Sequence, residues 1–346
     1  MISDVFGVSL ASRSRSATSR SISSLRLRHT QLLLRGGART PLEPLEPESF
    51  WRSTLPNETL LRRHILNPTE GARRKVRLDS LWNQLTLRGM DESYALGRRI
   101  ETWIFEHSPK NEDENEELPT TVITSPDQRS ILTARAVLRG LCAKDRESDP
   151  MAVRLRTMRA ALRIADIEDL EDLEDLEDVA MDLTELLALP ADALEGAKWP
   201  RLLDAAETAK LFGLVPQGEL DKAWKACLAS AYRTAQVVGK RSRPLLRLTL
   251  EPPLLRKRGA EVSEKLRLVV LPGFSLLCWA NALRLPRFAQ LWPAPSGCFL
   301  VETLDDEDGG VFLRIWNPRN HLELRPTWHK ADMGYGGLMI GYPLVI

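Results

Sequence analysis

Two arginines that bracket a glycine pair at the end of an apolar run are the residues here best suited to chemistry. In QLLLRGGARTP, residues 31–41, Leu32, Leu33 and Leu34 lead into Arg35, Gly36, Gly37, Ala38, Arg39, Thr40 and Pro41. An apolar strand ending this way puts two guanidinium forks and flexible backbone at its carboxyl end, where open α/β sheets keep their ligand sites. Such forks match the oxygens of phosphate, sulfate or carboxylate. A third arginine, Arg129, follows the β-branched run TVITS, residues 121–125, in SPDQRS at the start of a helix. Brought together, Arg35, Arg39 and Arg129 would repel one another. Either an anion screens them or nearby aspartates and glutamates have become their partners, and both readings stand at this level.

Several elements must position these residues. Leu87, Met90, Tyr94, Leu96 and Ile100 recur at near-helical spacing and predict a helix within residues 85–105, with Asp91 and Glu92 in its first turn where they suit the helix dipole. The proline-rich stretch 41–47 predicts an irregular connection, anchored by Phe50, Trp51 and Leu55. LRLVVL, residues 266–271, is a short continuous apolar run and predicts a buried strand. Residues 298–303 and 311–316 predict a hairpin across DDEDGG. Between Met151 and Leu245 the pattern is helical without strand signals, and amphipathic helices are expected around 199–214 and 220–238.

In this order the segments resemble the histidine acid phosphatases. Residues 35–41 resemble their RHGxRxP signature, and Leu85, Thr86, Gly89, Leu96 and Gly97 match the LTxxGxxxxxxLG helix that follows it. Arg129 takes the place of an arginine that the family delivers to phosphate, and the strand at 266–271 with SLLCWANAL fits the surroundings of the family's HD pair. The resemblance covers about Leu32 to Trp316. It implies an α/β fold with a three-layer, mostly parallel sheet flanked by helices, as in the phosphoglycerate mutases. The core would be 29–150 and 246–330, with an inserted helical cap at 151–245.

The resemblance also implies a loss. Gly36 stands where the family has the histidine that attacks phosphorus, and Pro272 and Gly273 stand where HD supplies a second imidazole and the proton donor. A shift of one residue would put Gly273 and Phe274 there, with the same chemical result. The family's chemistry needs a nucleophilic imidazole, an acid for the leaving oxygen and cations for the phosphoryl oxygens, and only the cations remain. The five histidines supply no substitute. His29 lies seven residues before Gly36, about 23 Å along an extended strand. His64 and His107 fall in connecting segments, and His321 and His329 lie beyond the hairpin. No GxSxG, HExxH, Walker loop or dinucleotide fingerprint offers another chemistry, and no cofactor is expected.

The 346 residues carry a formal net charge of +1, which excludes a global field toward nucleic acid and leaves only local charge signals. Residues 1–28 are rich in serine and arginine, the composition of a mitochondrial transit segment or of a disordered basic tail. In IEDLEDLEDLED the apolar residues recur every third position and drift around a helix, so the acidic segment from Asp166 to Asp178 is mostly solvated or faces a basic partner. Lys240, Arg241, Arg243, Arg247, Arg256, Lys257 and Arg258 form a basic band suited to phosphate backbone, but no aromatic residues interleave with it, so RNA binding has no second support. Cys142, Cys227, Cys278 and Cys298 are widely spaced in apolar stretches and read as reduced core residues, with zinc or disulfides the alternative. No apolar run reaches the roughly 18 residues that span a bilayer. The tail at 331–346 is almost wholly apolar past Met333 and lies beyond the resemblance. Tyr335, Met339, Ile340 and Ile346 are therefore expected to meet other subunits. Together these features predict an inactive pseudophosphatase in a mitochondrial complex of ribosomal or respiratory-chain type, or alternatively a phosphate-ligand binder using the arginines.

Overall fold

The LRLVVL run is buried along its whole length because it lies between two parallel neighbours. In a computed structural model, it forms β4 (Leu266–Leu271), between β1 (Arg26–Arg35) and β2 (Thr120–Thr124). The structure describes residues 26–42, 44–64, 80–107, 120–141, 153–157, 176–190, 192–195, 198–238, 245–246, 248–250, 266–283, 285, 292–305, 311–316, 327–332 and 339–344. Beyond β2 lies β3 (Val153–Thr157), and these four strands run parallel. On the other side of β1 the sheet continues antiparallel through β5 (Cys298–Asp305), β6 (Val311–Trp316), β7 (Thr327–Asp332) and β8 (Met339–Leu344). Among the described residues the order is β3-β2-β4-β1-β5-β6-β7-β8.

Helices cover both faces, giving the three layers expected. On one face α3 (Leu87–His107) and α4 (Gln128–Leu141) pack Leu96, Ile100, Val137 and Leu138 onto Leu32, Leu34, Val122, Leu268 and Val270. They cross closely because Gly97 and Gly140 face each other, and a Cβ on either would collide with the other helix's backbone. The opposite face, with Leu33, Val269, Leu271, Phe299 and Val301, is covered by α8 (Gly273–Ala282) and by α5 (Glu177–Leu186), α6 (Trp199–Phe212) and α7 (Gln217–Val237). Two short helices, α1 (Glu48–Thr54) and α2 (Glu58–His64), follow the first loop. Trp51 of α1 is fully buried and meets Phe212 of α6 edge-on, with ring centroids 5.2 Å apart. The anchor read from residues 50–55 thus docks on the cap.

The structure corrects three expectations. The stretch from Met151 holds a strand, β3, which joins the sheet edge through β2, so the cap's helices begin later. Helix α3 starts at Leu87, which moves Asp91 and Glu92 into its second turn. The apolar tail is not separate from the core. Residues 339–344 of the apolar tail pair with β7 as the edge strand β8, and His329 lies within β7, because unpaired β6 and β7 edges are satisfied by further antiparallel strands. At the end of the acidic segment Leu176 is buried in the core while Glu177 and Asp178 are exposed, and Val179 just beyond it is buried as well. Residues 166–175, all seven residues of the basic band and Tyr335 and Ile346 lie outside the described residues. Cys227, Cys278 and Cys298 are buried and form no disulfide among the described residues, and burial pushes the first thiol up to about 12 and the second higher still. Cys142 lies outside the described residues.

Candidate anion site at the ends of the parallel strands

Arg35 lies opposite Leu271 in the β1–β4 register, and Thr124 lies opposite Val270 in the β2–β4 register. The loops leaving β1, β4 and β2 therefore emerge side by side, which brings Arg35, Gly36, Arg39, Pro272, Gly273 and Arg129 together. The loop after β1 is clamped onto the start of α3. Thr86 receives the Gly89 N–H on its hydroxyl (3.2 Å), capping the helix, and donates the same hydroxyl to the Ala38 carbonyl at 3.0 Å. Thr40 and Gln84 exchange two hydrogen bonds of 2.9 Å. Gly89 is required because a Cβ there would collide with the backbone of Ala38. The LTxxG motif is therefore a seat for the arginine loop.

Each of the first two arginines has a carboxylate from α6. Arg35 turns Nη1 and Nη2 onto the two oxygens of Glu207, and Nη1 also reaches the Pro293 carbonyl at 2.5 Å. Its guanidinium lies 5.3 Å from the centre of the Trp292 ring, and Trp292 Nε1 donates to Glu207 Oε1 at 3.2 Å. On its other side is Gly273, where a Cβ would stand 2.8 Å from Arg35 Nε. Arg39 donates Nη2 to Asp204 Oδ1 and Nη1 to the Thr40 carbonyl at 3.2 Å, while Asp204 Oδ2 accepts the Leu42 N–H at 2.9 Å. These pairs are desolvated, with side-chain exposures of 8% and 12% for Arg35 and Glu207 and 12% and 9% for Arg39 and Asp204.

Arg129 is placed differently. Its Nε has no hydrogen-bond acceptor among the described residues, and Asp127 Oδ1 stands 4.0 Å away. Asp127 is itself engaged, accepting the Ser130 N–H at 2.8 Å as the cap of α4 and taking the Ser125 hydroxyl. Burial pushes the Asp127 carboxyl up, but Arg129 and the hydrogen bonds from Ser125 and Ser130 outweigh it and hold the group below 3.8. Burial, with repulsion from Arg39 and then Arg35, lowers the Arg129 guanidinium to about 10 against the pull of Asp127 and Asp204. A Cβ on Gly36 would stand 3.1 Å from Arg129 Nε and 3.3 Å from its Cζ, so this guanidinium fills the space beside Gly36.

Pro272 precedes α8 and Gly273 is its first residue. Among the described histidines, His29 is buried within β1, His64 and His107 end α2 and α3, and His329 lies in β7, so the three loops themselves carry none. His321 lies outside the described residues. Of the two readings of the arginines, carboxylate partners hold for Arg35 and Arg39. Asp204, Glu207 and Trp292 were not legible as site residues. The one signal was a pair of acids three apart in WPRLLDAAETAKLF, an otherwise apolar helix with a single lysine and a single arginine.

No protein-family model matches this chain. Over 140 residues it is 28% identical to lysophosphatidic acid phosphatase type 6 of Bos taurus, a match covering 36% of this chain. The chain spans about a third of that relative's length, 33%. The structure resembles the phytase of Citrobacter braakii at a TM-score of 0.53 and 15% identity, covering 91% of this chain and 95% of that one. A Klebsiella phytase gives 0.53 at 13%, covering 92% and 93%, and the Hafnia alvei phytase in complex with myo-inositol hexakis sulphate gives 0.50 at 13%, covering 85% of each. The fold is therefore that of the histidine acid phosphatases, and the resemblance read from the motifs holds in both sequence and fold.

Proposed function

We propose that this chain is a catalytically inactive, histidine-acid-phosphatase-like protein serving as a structural or accessory subunit of a larger mitochondrial complex, of ribosomal or respiratory-chain type. The observation that supports the loss of catalysis is the occupation of the loop after β1. Glu207 and Asp204 hold the two guanidiniums that would otherwise meet phosphoryl oxygens, and Arg129 and Arg35 fill the space beside Gly36 and Gly273, where the family keeps imidazole and acid. With two of its three cations engaged and no imidazole among the described residues of its loops, the site lacks the family's nucleophile and proton donor.

The assembly role rests on the sequence: the serine- and arginine-rich start for mitochondrial delivery, and the acidic segment from Asp166 to Asp178 with the tail residues Tyr335 and Ile346 that flank β8 for contacts with other subunits. A phosphate-binding pseudophosphatase is the weaker reading, since two of its three cations already have carboxylates. Affinity purification from the native organism, with every co-purifying protein identified, tests the proposal. The purified chain should be assayed alongside against an inositol polyphosphate and lysophosphatidic acid, which the relatives' names suggest. Expected are a defined set of partners and no turnover. A free monomer would end the assembly role, and turnover that depends on Arg39 would end the inactive reading.

A further inference from the structure

Asp204 and Glu207 lie one turn apart on the same side of α6 and are its only acidic residues. Both face the arginine loop. Glu207 presents two oxygens to one guanidinium, as a bidentate oxyanion does. Asp204 divides its oxygens between Arg39 and the Leu42 N–H, so a cation and a backbone donor of the same loop receive one carboxylate. The helix is fixed around these contacts. Trp51 and Phe212 hold one end, Trp199 and Phe274 lie 5.2 Å apart at the other, and Arg88 of α3 donates to the Leu211 carbonyl at 2.5 Å, near the helix's carboxyl terminus.

We infer that α6 is an internal pseudo-ligand: its two carboxylates occupy an oxyanion-binding site built by Arg35, Arg39 and Arg129, and they keep that site closed to phosphate and sulfate. The inference rests on the inactive reading only in asking no chemistry of the arginines. Its basis is an unequal match, since three guanidiniums converge and α6 supplies two anions. The Nε of the third has only a carboxylate 4.0 Å away, already used as a helix cap. A free anion would have to displace two desolvated pairs, whose acidic members are held in place by the chain at high effective concentration. Neutralising α6 should leave the cations in position but without their counter-charges, and so open the site.

The test uses the full chain, with the variants Asp204→Asn, Glu207→Gln and the double variant, in thermal melts and calorimetric titrations with inorganic phosphate, sulfate and inositol hexasulfate. Asn and Gln keep the shape and an acceptor oxygen while removing the charge. The wild type should show no anion-dependent shift at millimolar ligand, and the double variant should bind at least about tenfold tighter, the effect of one charged hydrogen bond. Adding Arg129→Ala should abolish the gain. Equal binding by wild type and variants, or a gain that survives Arg129→Ala, would overturn the inference. If the double variant does not melt cooperatively, Glu207→Gln carries the test, because the Arg39–Asp204 pair remains in it, and the absence of any gain there has the same force. These titrations read displacement directly. Hydrolysis by the wild type would sink the inactive reading through a separate assay.

Discussion

Arg35 and Glu207, 172 positions apart in the chain, meet through both terminal nitrogens and both carboxylate oxygens, with less than an eighth of either side chain exposed. Removing one member of such a pair leaves the other charged, buried and unpartnered. Glu207→Ala is expected to destabilise the protein by about 3–5 kcal/mol in urea unfolding. The Arg35→Ala, Glu207→Ala double variant should lose clearly less than the two single losses added. Strict additivity would mean that the two residues do not act as a pair.

Arg129 gives the opposite sign. Its guanidinium is held at about 10 in the folded chain, below its ordinary value, so between the two the unfolded chain binds more protons and stability rises with pH. Below about pH 10 the full cost of the buried charge is present. Arg129→Met should therefore raise the melting temperature at neutral pH, by the equivalent of about 1 kcal/mol or more, and flatten the rise on the alkaline side. A clear fall in melting temperature would show that the charge has a partner that offsets its burial.

Restoring the missing imidazole should not restore turnover. At Gly36 a Cβ meets the far end of the Arg129 side chain at 3.1 Å, which can shift, so Gly36→His is expected to fold. Hydrolysis of an aryl phosphate should stay at background, because Pro272 and Gly273 supply no proton donor and general acid catalysis is worth about 10²–10⁴-fold. Robust turnover by this single variant would mean that another residue donates the proton.

The tail forms part of the sheet, with Ala331 opposite Ile340 and Asp332 opposite Met339. Deleting residues 335–346 removes β8 and leaves β7 as a bare edge, so the truncated chain should melt at lower temperature and self-associate in sedimentation experiments. A monomer with unchanged melting would mean that β8 adds nothing to the sheet, and would return the tail to the role of a free contact for other subunits.

What the sequence determined by itself was local. A nearly continuous apolar run, broken only by Arg267, suffices to announce β4, since a strand buried on both faces is largely apolar. Leu85, Thr86 and Gly89 could be matched to a motif, and the reason for Thr86 and Gly89 is a contact with Ala38 in the loop after β1, 48 positions before Thr86. That Gly36 and Gly273 bring no functional group is legible from the residue type alone. Edge strands were less legible. The ends of the sheet, β3 and β8, owe their conformation to ladders offered by β2 and β7 and so carry little signal of their own. The fate of the arginines was decided only by tertiary structure. Residue types and spacing left an external anion and internal carboxylates equally open, because an ion pair needs no sequence pattern joining its members. Only the docking of α6 over the strand ends brings Asp204 to Arg39 and Glu207 to Arg35, across 165 and 172 positions, and leaves Arg129 the least satisfied of the three.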